Sequence, residues 1–242
     1  MRFTISARSK PNDVPILAFL ARNFPTVAIS EIDSVFGFVE ATTLYGGRPF
    51  RGPELTPYDV KEMYYAGIGV RLPLSNHYVT EEEYAQAKPL LEQYHRNGNA
   101  AIVTNDDLAK WIRRDFPAYR IEASVIKNLN TQARVEDALA LYDTVVLPME
   151  LNDDVDFLAG LPDKNRITLF ANAGCARNCP SKICYVSISK HNKTGSGAIM
   201  CSQPLKAREQ TGMVSFDLNR LHDLGFDRFK LLRGRPLGGT GY

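Results

Sequence analysis

The most constraining feature of this chain is a repeated alternation of short β-rich runs with longer stretches of helical periodicity, the pattern of βα units around a parallel sheet. Strands are expected at Phe3–Ala7, Phe36–Ala41, Gly69–Leu74, Ala100–Thr104, Arg120–Val125, Thr144–Leu147, Ile167–Asn172 and Arg228–Leu232. That is close to a full barrel set, and barrels routinely run past the usual domain size as one unit. The expected fold is therefore α/β, a TIM-like (β/α) barrel with room for an incomplete or distorted ring, forming one domain over residues 1–242.

With 44% hydrophobic and 23% charged residues, the chain has enough apolar surface for a sizeable core and is not globally disordered. Lys and Arg total 29 against 27 Asp and Glu, and a net charge of +2 creates no whole-molecule field that would announce a polyanion partner. No run approaches the roughly 20 apolar residues that span a bilayer. Residues Met1–Ser6 alternate like a strand instead of carrying the apolar segment of a signal peptide. A cytoplasmic protein without a membrane partner is expected.

Several helices carry their own start signals. Thr80 and Glu83 form a capping box opening a helix that runs to about Asn97-Gly98, with Pro89 a candidate kink. Asn105 or Asp106 caps the next, where Leu108, Trp111 and Ile112 recur at core-facing spacing. Further helices are expected at Thr131–Tyr142, Asp153–Gly160 and Asp217–Leu224. Between them, Gly174–Gln210 breaks the rhythm: it is rich in Gly, Ser, Asn and Lys and has no clear periodicity. Long loops in compact domains are usually functional or disordered, and this one follows a barrel strand at its carboxyl end, where active sites of the architecture collect.

The same loop region, at about 173–210, holds all four cysteines, Cys175, Cys179, Cys184 and Cys201, spaced C-x3-C-x4-C-x16-C. In a reducing compartment, clustered thiols are better read as metal ligands than as disulfides. Soft thiolates select zinc or an iron–sulfur cluster over magnesium or calcium. Structural zinc favours paired knuckles, which the second half of this spacing lacks, and the C-x3-C-x2-C pattern of radical-generating clusters is missed as well. Cys184, flanked by Ile183 and Tyr185, reads equally well as a buried small hydrophobe.

At these residues the chain resembles the U32 peptidase-like, or collagenase-like, family over nearly its whole length. The resemblance is carried by Leu55-Thr56-Pro57-Tyr58-Asp59-Val60 through Leu74-Ser75-Asn76, by Ile102–Asn105 with Phe116-Pro117 and Ile121–Ser124, and by Val145–Leu151. Its most specific part is Asn172-Ala173-Gly174-Cys175-Ala176-Arg177-Asn178-Cys179-Pro180, similar to the family's cysteine loop in its shorter variant. Where that variant has Arg and then His, this chain has Lys182 and Tyr185, and better-known members place their cysteines in widely separated pairs. The resemblance implies a TIM-like barrel with an iron–sulfur cluster, 4Fe-4S in type, on Cys175, Cys179, Cys184 and Cys201, with zinc as the alternative. It also implies oxygen-independent hydroxylation, or a related modification, of a small aromatic or RNA substrate, with a related subunit or a second copy as partner. Some relatives carry only the peptidase label, but the sequence offers no Ser–His–Asp set and no H-E-x-x-H helix. A third reading is a zinc-stapled binding protein without catalysis.

Polar residues at strand ends complete the candidate site: Glu40, Asn76, Asn105, Ser124, Glu150 and Asn172. Glu150 and Asn76 are read as the catalytic residues, Glu150 as a general base or orienting charge, and Arg48, Ser124 and Asn172 as substrate contacts. The loop Tyr45–Gly52 offers amides and guanidinium groups to an anion, and Arg233 with Arg235 is a second such pair. Among the histidines, His77, His95, His191 and His222 show no mutual ligand spacing. Only His77 stands where it can reach the barrel mouth, while His191 is an alternative ligand within the cysteine loop.

Overall fold

Near-continuous burial along the strands sets the architecture: side chains of one parity pack outward against helices, and those of the other parity fill a central space. The computed structural model describes residues 1–179, 181–203 and 213–234. Pro180, the end of the cysteine segment toward Gln210, Arg235 and the glycine-rich C-terminus lie outside the described residues.

Eight parallel strands close into a barrel. They are β1 (Arg2–Ser6), β2 (Ile32–Phe36), β3 (Gly69–Leu72), β4 (Ala100–Val103), β5 (Arg120–Ala123), β6 (Thr144–Val146), β7 (Ile167–Phe170) and the last, β10 (Arg228–Leu231). Each pairs with its sequence neighbours in the ring, and β10 returns to β1 in the register Arg2↔Arg228 through Ile5↔Leu231. The barrel is thus complete. A short antiparallel pair, β8 (Asn172–Ala173) with β9 (Val214–Ser215), follows β7 and ties the two ends of the cysteine segment together.

Outside the ring lie α1 (Ile16–Asn23), α2 (Pro57–Tyr65), α3 (Glu81–Gln93), α4 (Asp106–Asp115), α5 (Gln132–Leu141), α6 (Val155–Gly160), α7 (Ile183–Thr194) and α8 (Leu218–Asp223). The caps follow from side-chain chemistry. Thr80 Oγ1 accepts from the Glu83 amide at 3.2 Å, and Asn105, not Asp106, accepts from Leu108 at 3.0 Å. Helix α3 passes through Pro89 and stops at Gln93, short of the expected Gly98, whose positive φ instead serves the turn into β4. Trp111 packs on the core beside Tyr84, with ring centroids 5.4 Å apart.

Two expectations are corrected. The second strand is Ile32–Phe36, not Phe36–Ala41. The apolar run after Phe36 is buried in a loop, where Phe38 packs on Tyr45 at 4.5 Å and on Phe50 at 5.4 Å, so burial there mimics a strand pattern without a ladder. The second correction is α7, a helix of 12 residues inside the segment read as irregular. Its barrel-facing side holds Ser187 and Ser189 as well as Cys184, Tyr185 and Ile188, and its docking bonds are polar, so no apolar stripe betrays it. Nor does a cap: its N-terminus opens on Lys182 at φ 47° with no side-chain capping bond, and only Gly195 at φ 67° closes it in the usual way.

Candidate functional site at the barrel mouth

The carboxyl ends of the strands surround a cavity of ≈ 110 Å³. Ser6, Phe36 and Phe170 reach it from strand ends, and Ser75, Ser124 and Met149 from the loops just beyond. Gly174, Ala176 and Tyr185 of the cysteine segment form one wall. Opposite, Gly46 lies so close to the Ser75 backbone that a Cβ there would stand 2.1 Å from the Ser75 carbonyl oxygen, so only glycine lets the Tyr45–Arg48 loop settle on this rim.

All four cysteines are free thiols; Cys175 and Cys184 are buried, Cys179 is half-buried and Cys201 exposed. Cys179 is held toward its thiolate form. Burial raises its pKa, but bonds from Ser202 and from the Lys182 and Ser181 amides, with the Lys182 charge, outweigh it and hold the thiol below its ordinary value. Sγ lies 3.3 Å from the Lys182 amide and 3.4 Å from Ser202 Oγ. Cys184 moves the other way: burial, then the nearness of Cys179, Cys175 and Cys201, push it up to about 11. The four sulfurs therefore share one electrostatic neighbourhood. Among the described residues, no group of three or more His, Cys, Asp or Glu side chains stands at the spacing of a formed metal site.

The other predicted residues are placed as follows. Glu150 is exposed and accepts from Lys182 Nζ at 2.6 Å, while the same ammonium bonds Asn128 Oδ1 at 3.2 Å. It thereby anchors the turn that presents amides to Cys179, and both residues line a shallow hollow with Cys179. Asn76 is fully buried, and its amide is spent on backbone: Nδ2 donates to Thr43 at 2.7 Å, Ser189 at 3.0 Å and Tyr45 at 3.2 Å, and Oδ1 accepts from the Tyr78 amide. This clasps α7 to the rim. Asn172 likewise exchanges two bonds with the Leu232 backbone, at 2.8 and 2.9 Å. Arg48 and Ser124 both line the cavity, Arg48 forked onto both carboxylate oxygens of Glu54 and stacked 4.1 Å from the Phe38 ring centroid.

His77 Nδ1 meets Ser189 Oγ at 3.1 Å, superficially a nucleophile and base. Ser189 has 0% exposure and faces the barrel from α7, so the pair is a docking contact with no access for a substrate. His191 is bonded to the Gly197 carbonyl oxygen at 3.2 Å, His95 accepts from the Ala118 amide, and His222 bonds Phe226.

The barrel interior is ionic, a feature outside the candidate residues taken from strand ends and the cysteine loop. Arg71 on β3, 1% exposed, donates to Glu122 on β5, 0% exposed, and Glu122 also accepts from Lys230 on β10 at 3.2 Å. Arg71 bonds Asp33 at 2.8 Å, and Arg120 reaches Asp33 at 3.1 Å. Burial works against the Glu122 charge, but Arg71 and Lys230 overcome it and keep its pKa low. For Lys230 burial wins and lowers the pKa. The sequence carries a signal for this interior: Arg71 interrupts an otherwise apolar β3, and Glu122 and Lys230 share a strand parity with Arg120 in β5 and Arg228 in β10.

Among the described residues, no helix is long and apolar enough to cross a membrane. No protein-family model matches the chain, and no curated protein sequence matches it. Among solved structures, the fold is similar to that of "The Structure of the U32 Peptidase Mk0906", at a TM-score of 0.64 and 12% identity, covering 98% of this chain and 94% of that one. At this identity the likeness speaks for architecture: the chain has the closed (β/α) barrel of a U32 peptidase fold.

Proposed function

We propose that this is an iron–sulfur enzyme whose cluster is held by Cys175, Cys179, Cys184 and Cys201 beside the barrel mouth, and which carries out an oxygen-independent hydroxylation or related modification of a small-molecule or RNA substrate. The observation that carries this reading is four free thiols in one electrostatic neighbourhood on a segment that walls the mouth cavity. The donor set is soft and suits iron–sulfur chemistry, and amide bonds to Cys179 are the kind that stabilise ligand sulfur and tune a cluster. When bound, such a cluster supplies one-electron redox chemistry at the mouth.

The chain's own residues do the rest. Lys182, tied to Glu150 and Asn128, fixes the turn around Cys179. Asn76 and Asn192 fasten α7 to the rim, the latter through the Tyr45 and Arg48 carbonyls at 3.0 Å each. A cluster gripping four thiols of this one segment would couple metal uptake to the segment's local order. Proteolysis with and without metal tests this: cleavage within residues 174–203 should slow on reconstitution with iron and sulfide. Anaerobically prepared protein should show broad visible absorbance that Cys179→Ala abolishes; colourless protein that gains no protection from iron and sulfide would overturn the reading.

A further inference from the structure

Every charged side chain lining the mouth cavity, among the described residues, is a cation: Arg8, Arg48, Lys230 and Arg233. Their charges are unequally compensated. Arg48 is matched by Glu54. Lys230 shares its single carboxylate, Glu122, with Arg71, and the second acid of that network, Asp33, is itself divided between Arg71 and Arg120. The network therefore sets Arg71, Arg120 and Lys230 against Glu122 and Asp33. Arg233 is held by neutral oxygens: Asn23 Oδ1 at 3.0 Å, the Ser9 carbonyl at 2.8 Å and the Arg8 carbonyl at 3.2 Å.

The remaining lining is largely apolar, with Phe36, Ile102, Met149 and Phe170 prominent. The volume, ≈ 110 Å³, is near the scale of a cavity of about 150 Å³ that takes up benzene. A Lys230 ammonium that shares its acid, and an Arg233 guanidinium held by neutral oxygens, beside an apolar chamber strengthen attraction for an anion and give its body a dry surface.

We infer that the mouth cavity binds a small anion with a compact, ring-sized apolar body, its carboxylate or phosphate oxygens paired with Lys230 and Arg233 and its body against Phe36, Met149 and Phe170. An arriving anion also offsets the burial that disfavours the Lys230 ammonium. The inference rests on the proposed function only in placing the substrate at the mouth; it does not need the cluster.

Calorimetric titration of the full chain, before and after metal removal, with benzoate, phenyl phosphate and the neutral benzamide tests it. At least one of the two anions should saturate one site per chain, whichever headgroup the site prefers, with benzamide weaker by about tenfold or more. Lys230→Met and Arg233→Gln should each weaken the anion by about tenfold. Should Lys230→Met fail to fold, Arg233→Gln decides alone. Benzamide binding as tightly as the anions, saturation by neither anion, or wild-type affinity in the folded variants would overturn the inference. Anion binding that persists in iron-free protein separates its fate from that of the cluster.

Discussion

Replacing Asn76 with alanine separates a structural clasp from a catalytic group. The two N–H bonds of its amide are spread over the carbonyls of Thr43, Tyr45 and Ser189, and its oxygen takes the Tyr78 amide, all at a position with 0% exposure. A net bond contributes about 1 kcal/mol, and a buried polar group left without a partner costs about 1–3 kcal/mol. Losing the set should therefore cost about 3–4 kcal/mol after partial relaxation, which for a chain of this size corresponds to a fall in Tm of about 6–15 °C. Trp111, the sole tryptophan, packs on the core and reports urea unfolding by fluorescence. The loss should concentrate on α7, so amide exchange across Ile183–Thr194 should quicken more than exchange in β4 or β5. A loss below about 1 kcal/mol with turnover abolished would refute the clasp and restore Asn76 as a group acting on substrate.

Three further outcomes follow from the ion pairs. Arg71→Met strips Glu122 and Asp33 of a shared partner and should cost about 3–5 kcal/mol in urea unfolding, because it leaves buried carboxylates under-compensated. Burial alone would raise the Asp33 pKa, but Arg71 and Arg120 hold it at about 2, against 3.8 unfolded. Its contribution of about 2 kcal/mol is complete above the unfolded value and drains away as pH falls through about 4 toward 2. The stability gap between wild type and Asp33→Asn should therefore narrow over that window, and a gap that is constant with pH would count against it. Glu150→Gln loosens an exposed pair and should change global stability by less than about 1 kcal/mol, while increasing proteolysis near Cys179; a turnover defect with an unchanged digest would make Glu150 catalytic after all.

How far the sequence can be read depends on which force acts locally. The barrel is legible because β-rich runs and caps such as Thr80 and Asn105 are local signals, and every barrel strand except the second lies close to the expected one. Phe38 and Val39 mislead because aromatic packing in a loop buries side chains as a strand would. Helix α7 escapes because it docks through Ser189, Asn192 and Asn76, polar contacts whose partners lie more than 100 residues away in sequence. Spacing names the cysteines as a group and places them at the right end of the barrel. It does not reveal that Cys179 and Cys184 are driven in opposite directions, since Ser202 bonding and burial are three-dimensional facts. Lys230 is legible from a period-two reading of β10, and Arg233 from its place after the last strand; that both line one cavity emerges only when the ring closes on β1.

The most direct measurement is iron, acid-labile sulfide and zinc in protein purified without oxygen. Iron and sulfide in near-equal amounts, about four of each per chain, with zinc negligible and all lost in Cys179→Ala, is the outcome expected of an iron–sulfur centre on this loop. Stoichiometric zinc without sulfide, or full folding with neither metal, would contradict it.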